Sequence, residues 1–327
     1  MTASRRQFLR YGTVATAAIG TDTLLLAALP GAGAVRAQGR PLLKAGDQKG
    51  GLRALLESAD ALRGLSYDIQ WTEFPAAAPL AEALNAGAVD CGPIGDAPAI
   101  FALAAGTRIR LIGANRSDPY GTAILVRPDS PLKSAADLKG KSIGTNRGSI
   151  GHFVALKALE SAGLRPEDAS IRFLPPADAK LALTSGSVDA WATWEPYTAM
   201  AETSGHARVL VNGCGLWSGL SYVAATDTAL AAKRAVLADF LQRVVRAQAW
   251  SYQHVPEFSA TLARIIGISP EAARLQFERR HTQWQKIDDA LIAEQQRTAD
   301  FYLKMKTGLL KQRLDARATF DTGFAVT

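Results

Sequence analysis

Residues 82–106, EALNAGAVDCGPIGDAPAIFALAAG, and residues 181–205, LALTSGSVDAWATWEPYTAMAETSG, are versions of one another. Ala83 matches Ala182, Leu84 matches Leu183, Gly87 matches Gly186, Val89-Asp90 matches Val188-Asp189 and Gly106 matches Gly205. A second pair lies upstream of each copy. Leu56-Glu57-Ser58-Ala59 matches Leu159-Glu160-Ser161-Ala162, and each follows a polar glycine loop, 47–51 or 146–149. The order polar loop, helix, x-x-G-x-V-D, loop, helix therefore occurs twice. Two like α/β units in one chain predict two lobes with a ligand cleft between them.

The N-terminus reads as an address. Arg5, Arg6 and Arg10 precede an apolar stretch broken by Asp22, and small residues end at Val35-Arg36-Ala37, a pattern expected of a cleaved leader over residues 1–37. Ser4-Arg5-Arg6-Gln7-Phe8-Leu9-Arg10 resembles a twin-arginine export signal, and the expected location is the periplasm. The formal charge of +7 falls to about +4 once that leader is removed, with 33 basic against 29 acidic residues. That balance, without a Lys/Arg block, argues against nucleic acid as a partner. Cys91 and Cys214 are read as two separate thiols, with a bridge between the lobes as the alternative.

Strand and helix patterns alternate along the rest of the chain. Strands are expected at 42–46, 66–73, 89–94, 109–114 and 122–126 in the first half, and at 142–145, 171–174, 188–193, 209–211 and 221–225 in the second. Helices are expected at 51–61, 79–86, 97–105, 151–162, 177–184 and 196–203, and from 228 onward the pattern is helical, with helices at 235–253, 256–267, 270–276 and 288–305. This alternation, occurring twice, predicts an α/β fold of two lobes, each a mostly parallel sheet with helices on its faces. The expected division puts residues 41–124 and 221–327 in a discontinuous first lobe and 125–220 in the second, with hinge strands at 122–126 and 220–225.

Loops at the carboxyl ends of the strands should face the cleft. Thr145-Asn146-Arg147-Gly148-Ser149-Ile150-Gly151 opens a helix, where free N–H groups and the dipole favour an anion, with Arg147 adding charge and Ser149 a hydroxyl. In the first copy, Gly95 allows close approach, and Asp96 serves either as an N-cap or as a ligand contact. In the second copy Trp194 and Glu195 stand in their places: a wall and a partner for an ammonium, or a core indole and a dipole-matching carboxylate. Gln48 and Lys49 offer an amide and a cation, Tyr120 is placed to line the cleft, and Trp217 is a candidate lid. The four histidines lack metal spacing, and neither G-x-S-x-G nor a P-loop is present, so no catalytic residue, metal or cofactor is expected.

Gln48-Lys49-Gly50, Leu138-Lys139-Gly140-Lys141, Asn146-Arg147-Gly148-Ser149, Leu174-Pro175-Pro176-Ala177-Asp178-Ala179, Ser185-Gly186-Ser187-Val188-Asp189-Ala190-Trp191 and Trp194-Glu195-Pro196-Tyr197 resemble the aliphatic-sulfonate-binding proteins of ATP-binding cassette importers. The resemblance runs from about 42 to 300, within a wider family of taurine, nitrate, bicarbonate and thiamine-pyrimidine binders. It implies a two-lobed type II periplasmic binding protein fold whose cleft closes on a small organic anion, an aliphatic sulfonate, and delivery of that anion to a permease with its ATPase; the receptor is expected to be a monomer. The resemblance places the sulfonate among N–H groups of Gly95, Asp96 and Ala97 and of Gly148, Ser149 and Ile150, with Trp194 and Glu195 close by. Asp47 stands where that family often has Tyr.

Overall fold

The computed structural model describes residues 39–305, 308 and 310–325. The leader of residues 1–37 lies outside the described residues.

From Leu42 to Arg116 the chain builds β1 (Leu42–Gln48), α1 (Leu52–Ser58), β2 (Asp68–Phe74), α2 (Ala77–Asn85), β3 (Cys91–Gly95), α3 (Asp96–Ala104) and β4 (Ile109–Arg116). It then crosses to a second sheet through β5 (Ala123–Val126), β6 (Ser142–Thr145), α4 (Ile150–Ser161), β7 (Ser170–Phe173), α5 (Pro176–Thr184), β8 (Ala190–Thr193), α6 (Tyr197–Thr203) and β9 (Arg208–Asn212). It returns through β10 (Leu220–Thr226), α7 (Asp227–Gln253), α8 (Val255–Ile266), α9 (Pro270–Glu278), β11 (Gln283–Gln285) and α10 (Asp289–Lys304).

The sheet orders are β11-β4-β10-β3-β1-β2 and β7-β6-β8-β5-β9. Apart from β11 they are the same order. Each lobe takes one strand from chain that has just left the other: β10 slots between β3 and β4, and β5 slots between β8 and β9. Both inserted strands run antiparallel to their neighbours, while the β1-β2, β1-β3, β6-β7 and β6-β8 pairs are parallel. The sheets are thus mixed, because a chain that crosses and returns re-enters each sheet pointing the opposite way. All four residues of β5 pair with β8, and all of β10 pairs with β4, so the crossings are the segments 117–122 and 213–219 rather than the strands themselves. β11 was not expected from the sequence; three residues are too few to show an alternation.

The repeated G-x-V-D performs the same task twice. Gly87 and Gly186 take positive φ, which lets the chain turn out of α2 and α5. Val89 and Val188 are buried, and the aspartates tie the neighbouring strand: Lys44 N donates to Asp90 Oδ2 at 2.7 Å, and Ser142 N donates to Asp189 Oδ2 at 2.8 Å. Lys233 Nζ adds an ion pair to Asp90 at 2.6 Å. Behind the cleft, one apolar cluster joins the lobes. Ala97 and Ile100 of α3, Phe153 of α4, and Phe301 and Tyr302 of α10 share it, with Phe153 and Phe301 rings 5.2 Å apart edge-on. Cys91 is buried and Cys214 exposed, both as free thiols.

Candidate functional site

The cleft has a volume of about 980 Å³ and is lined from both lobes. Loops after β1, β3, β6 and β8 supply Gln48, Lys49, Gly95, Asn146, Arg147, Gly148, Ser149, Ile150, Trp194 and Glu195. Four helices, α1, α3, α4 and α6, begin at these loops, and each presents unpaired N–H groups that need an acceptor.

At three of the four, the chain brings its own anion. Asp47 accepts from Leu52 N at 2.9 Å and from Arg53 N at 2.8 Å, capping α1. Burial pushes its carboxyl up to about 6 against the opposing pull of those donors. Asp96 accepts from Ala97 N at 2.7 Å at the start of α3. Glu195 accepts from Ala199 N at 3.0 Å at the start of α6. The fourth helix, α4, has no carboxylate. Ser149 Oγ accepts from His152 N at 3.1 Å and donates to the Asn146 carbonyl at 2.7 Å, so it is a cap. Gly148 N donates to His152 Nδ1 at 3.3 Å, which requires a neutral ring, and burial first and Arg147 second push that imidazole down to about 4. Among the described residues, no protein acceptor meets the amides of Ile150 and Gly151. Arg147 is exposed and, among the described residues, has no ion pair; its guanidinium carbon lies 5.4 Å from the centre of the Phe173 ring.

Gly148 explains how the lobes meet here. Its φ is +72°, and a Cβ would lie 2.9 Å from Phe101 of α3 in the other lobe. Glycine satisfies both demands: the left-handed backbone and the close approach.

Several residues expected in the site stand elsewhere. Asp96 is fully buried, with Gly95 as the N-cap of α3, and Asp96 and Ala97 do not line the cleft. Asp96 Oδ2 accepts from Trp217 Nε1 at 2.9 Å, and Gln295 Nε2 donates to its carbonyl at 3.0 Å. Trp217 is therefore no lid: only 9% exposed, it packs in the interlobe core, where a buried indole N–H needs an acceptor. Tyr120 is 51% exposed and off the cleft, turned outward on the first crossing. Glu195 lines the cleft, but its carboxylate is held by Arg279 Nε, while Arg279 Nη1 reaches Glu202 at 2.6 Å. It is not free to meet a ligand ammonium. Trp194 lines the cleft, edge-on to Tyr197 with centroids 5.8 Å apart. Trp191 is core.

The sequence reading missed one wall entirely. Gln248 and Tyr252 of α7, Leu262 and Ile266 of α8, Gln276 and Phe277 of α9, Arg280 and Trp284 also face the cleft. These helices carry ordinary apolar spacing, which reads as packing. The polar Gln276 and Arg280, four apart, were the available signal.

The NMT1-like family matches residues 54–267. The chain belongs to the NMT1-like family. It is 37% identical over 293 residues to an aliphatic sulfonates-binding protein of Escherichia coli (strain K12), covering 87% of this chain and 90% of that one. The alkanesulfonate-binding protein SsuA from Xanthomonas axonopodis pv. citri, bound to MOPS, matches with a TM-score of 0.81 at 32% identity, covering 86% of this chain and 98% of that one. The periplasmic aliphatic sulphonate binding protein SsuA from Escherichia coli matches at 0.79 and 33%, covering 87% and 93%. These bear out the resemblance carried by the PPADA and SGSVDAW segments and the two-lobed binding-protein fold. The named relatives are binding proteins.

Proposed function

We propose that this protein is a periplasmic receptor that captures an aliphatic sulfonate in its interlobe cleft and hands it to an ATP-binding cassette permease for sulfur acquisition. The observation that carries this reading is the contrast at the four loops. Asp47, Asp96 and Glu195 occupy three helix N-termini, and only α4 offers free amides beside an uncommitted arginine. A sulfonate has a fixed charge and three acceptor oxygens, so it suits Arg147 and the Ile150 amide, with Gln48 and Lys49 reaching from the first lobe.

In this reading the lobes close about the crossings 117–122 and 213–219. The first lobe comprises the β1–β4 unit and the chain from β10 onward, and the second comprises β5–β9. Closure expels water and strengthens each charged contact. Residues 1–37 direct export, in the manner of a twin-arginine signal, and the receptor acts as a monomer.

A thermal-shift screen tests the reading against ethanesulfonate, longer alkanesulfonates, MOPS, taurine, sulfate, nitrate and a thiamine pyrimidine. A ligand at 100 times its dissociation constant adds about 2.7 kcal/mol, a shift of several degrees. Selective stabilisation by sulfonates is expected. Stabilisation by nitrate or the pyrimidine alone moves the protein to a sister specificity.

A further inference from the structure

The cleft is large although the lobes already touch. Gly148 sits against Phe101 on one side, and Arg279 ties α9 to Glu202 of α6 on another. About 980 Å³ nevertheless lies between them, near the upper end for sites that enclose drug-sized ligands. A sulfonate group with a two- or three-carbon tail leaves most of that space empty.

Much of the first lobe's wall is apolar and aromatic: Phe258, Leu262, Ile266, Phe277, Tyr252 and Trp284 line the cleft, with Gln276 and Arg280 beside them. Behind Tyr252 and Trp284 lies a second cavity of about 730 Å³, and Gln248, Tyr252, Thr282 and Trp284 line both spaces. The partition between the two is only loosely fixed by hydrogen bonds. Trp284 Nε1 has no hydrogen-bond partner among the described residues. Tyr252 is tied by one bond, accepting from Thr282 N at 2.7 Å.

We infer that the ligand carries a bulky aromatic tail, an arylsulfonate, with its ring seated against Tyr252, Phe277 and Trp284. This inference rests on the sulfonate reading and narrows it. An aromatic wall favours a ring through offset or edge-on contacts beyond simple burial.

Isothermal titration with ethanesulfonate, butanesulfonate, benzenesulfonate and 2-naphthalenesulfonate tests it. The wild-type protein is expected to bind the naphthyl compound at least tenfold tighter than ethanesulfonate. Trp284→Ala is expected to weaken binding of the naphthyl compound at least tenfold, and by more than it weakens binding of ethanesulfonate, and Trp284→Phe to keep most of the preference. Thermal unfolding without ligand serves as the fold control for each variant. Ethanesulfonate or butanesulfonate binding as tightly as the aryl compounds overturns the inference and leaves the sulfonate reading standing. Binding of none of the four overturns both.

Discussion

Arg279 is the side chain whose removal should cost most without touching a ligand. It stands just past the end of α9 in the first lobe and bridges two carboxylates of the second, Glu195 and Glu202. Side-chain exposure is 16% for Arg279 and 4% for Glu195, so solvent screens the pair little. Arg279→Met keeps the aliphatic bulk but strands Glu195, whose carboxyl burial already pushes up and which Arg279 pulls back down. Breaking one side of a buried pair costs about 3–5 kcal/mol, and the lower figure applies because Glu195 keeps the Ala199 N–H. With unfolding entropy of about 2.1 cal/mol/K per residue over roughly 290 residues, 3 kcal/mol corresponds to a fall in Tm of about 5 °C. A stranded carboxyl has a raised folded pKa, so its penalty is absent where it is protonated and grows as pH climbs. The deficit measured by scanning calorimetry should therefore be larger at pH 7.5 than at pH 5. Adding Glu195→Gln should restore part of the loss at pH 7.5. A deficit under 1 °C at both pH values would refute the reasoning and show the triad to be effectively solvated.

Arg147→Ala should weaken sulfonate binding by about 2 kcal/mol, some thirtyfold by titration calorimetry, yet leave Tm unchanged because the side chain makes no ion pair. Trp217→Phe should do the reverse, lowering stability by about 1–3 kcal/mol through the lost donor to Asp96 while ligand affinity holds. Burial pushes the Asp96 carboxyl up to about 7. A raised acid favours the folded state most when protonated, so its contribution is full below about pH 4 and is lost as pH rises through 7. Asp96→Asn should flatten the stability profile across that window, as read by urea melts at several pH values.

The repeat was the most legible part of the molecule, because Gly87, Asp90 and their counterparts do work set by the backbone alone: a left-handed turn and a strand tie. The strands other than β11, and most helices, followed from periodicity within a few residues. What the sequence could not reveal was commitment. Asp96, Glu195 and Trp217 are residue types that suit a ligand, and at the level of sequence nothing separates a free carboxylate from one already paired across the fold. Trp217 meets Asp96 at a separation of 121 residues, and Arg279 meets Glu195 at 84. Only long-range packing decides such pairings. The same holds for the aromatic wall, whose residues sit on helices that look like core from either side. The start of α4 was legible because its hydrogen bonds are local, Ser149 meeting Asn146 and His152, and Gly148 meeting His152.

The single uncommitted helix start has a consequence for speed. A guest arriving at α4 displaces water alone, since no internal carboxylate has to leave first and Arg147 merely leans on the Phe173 ring. Capture should then proceed without a slow opening step, at a rate governed by encounter and by charge attraction, and it should slow as added salt screens that attraction.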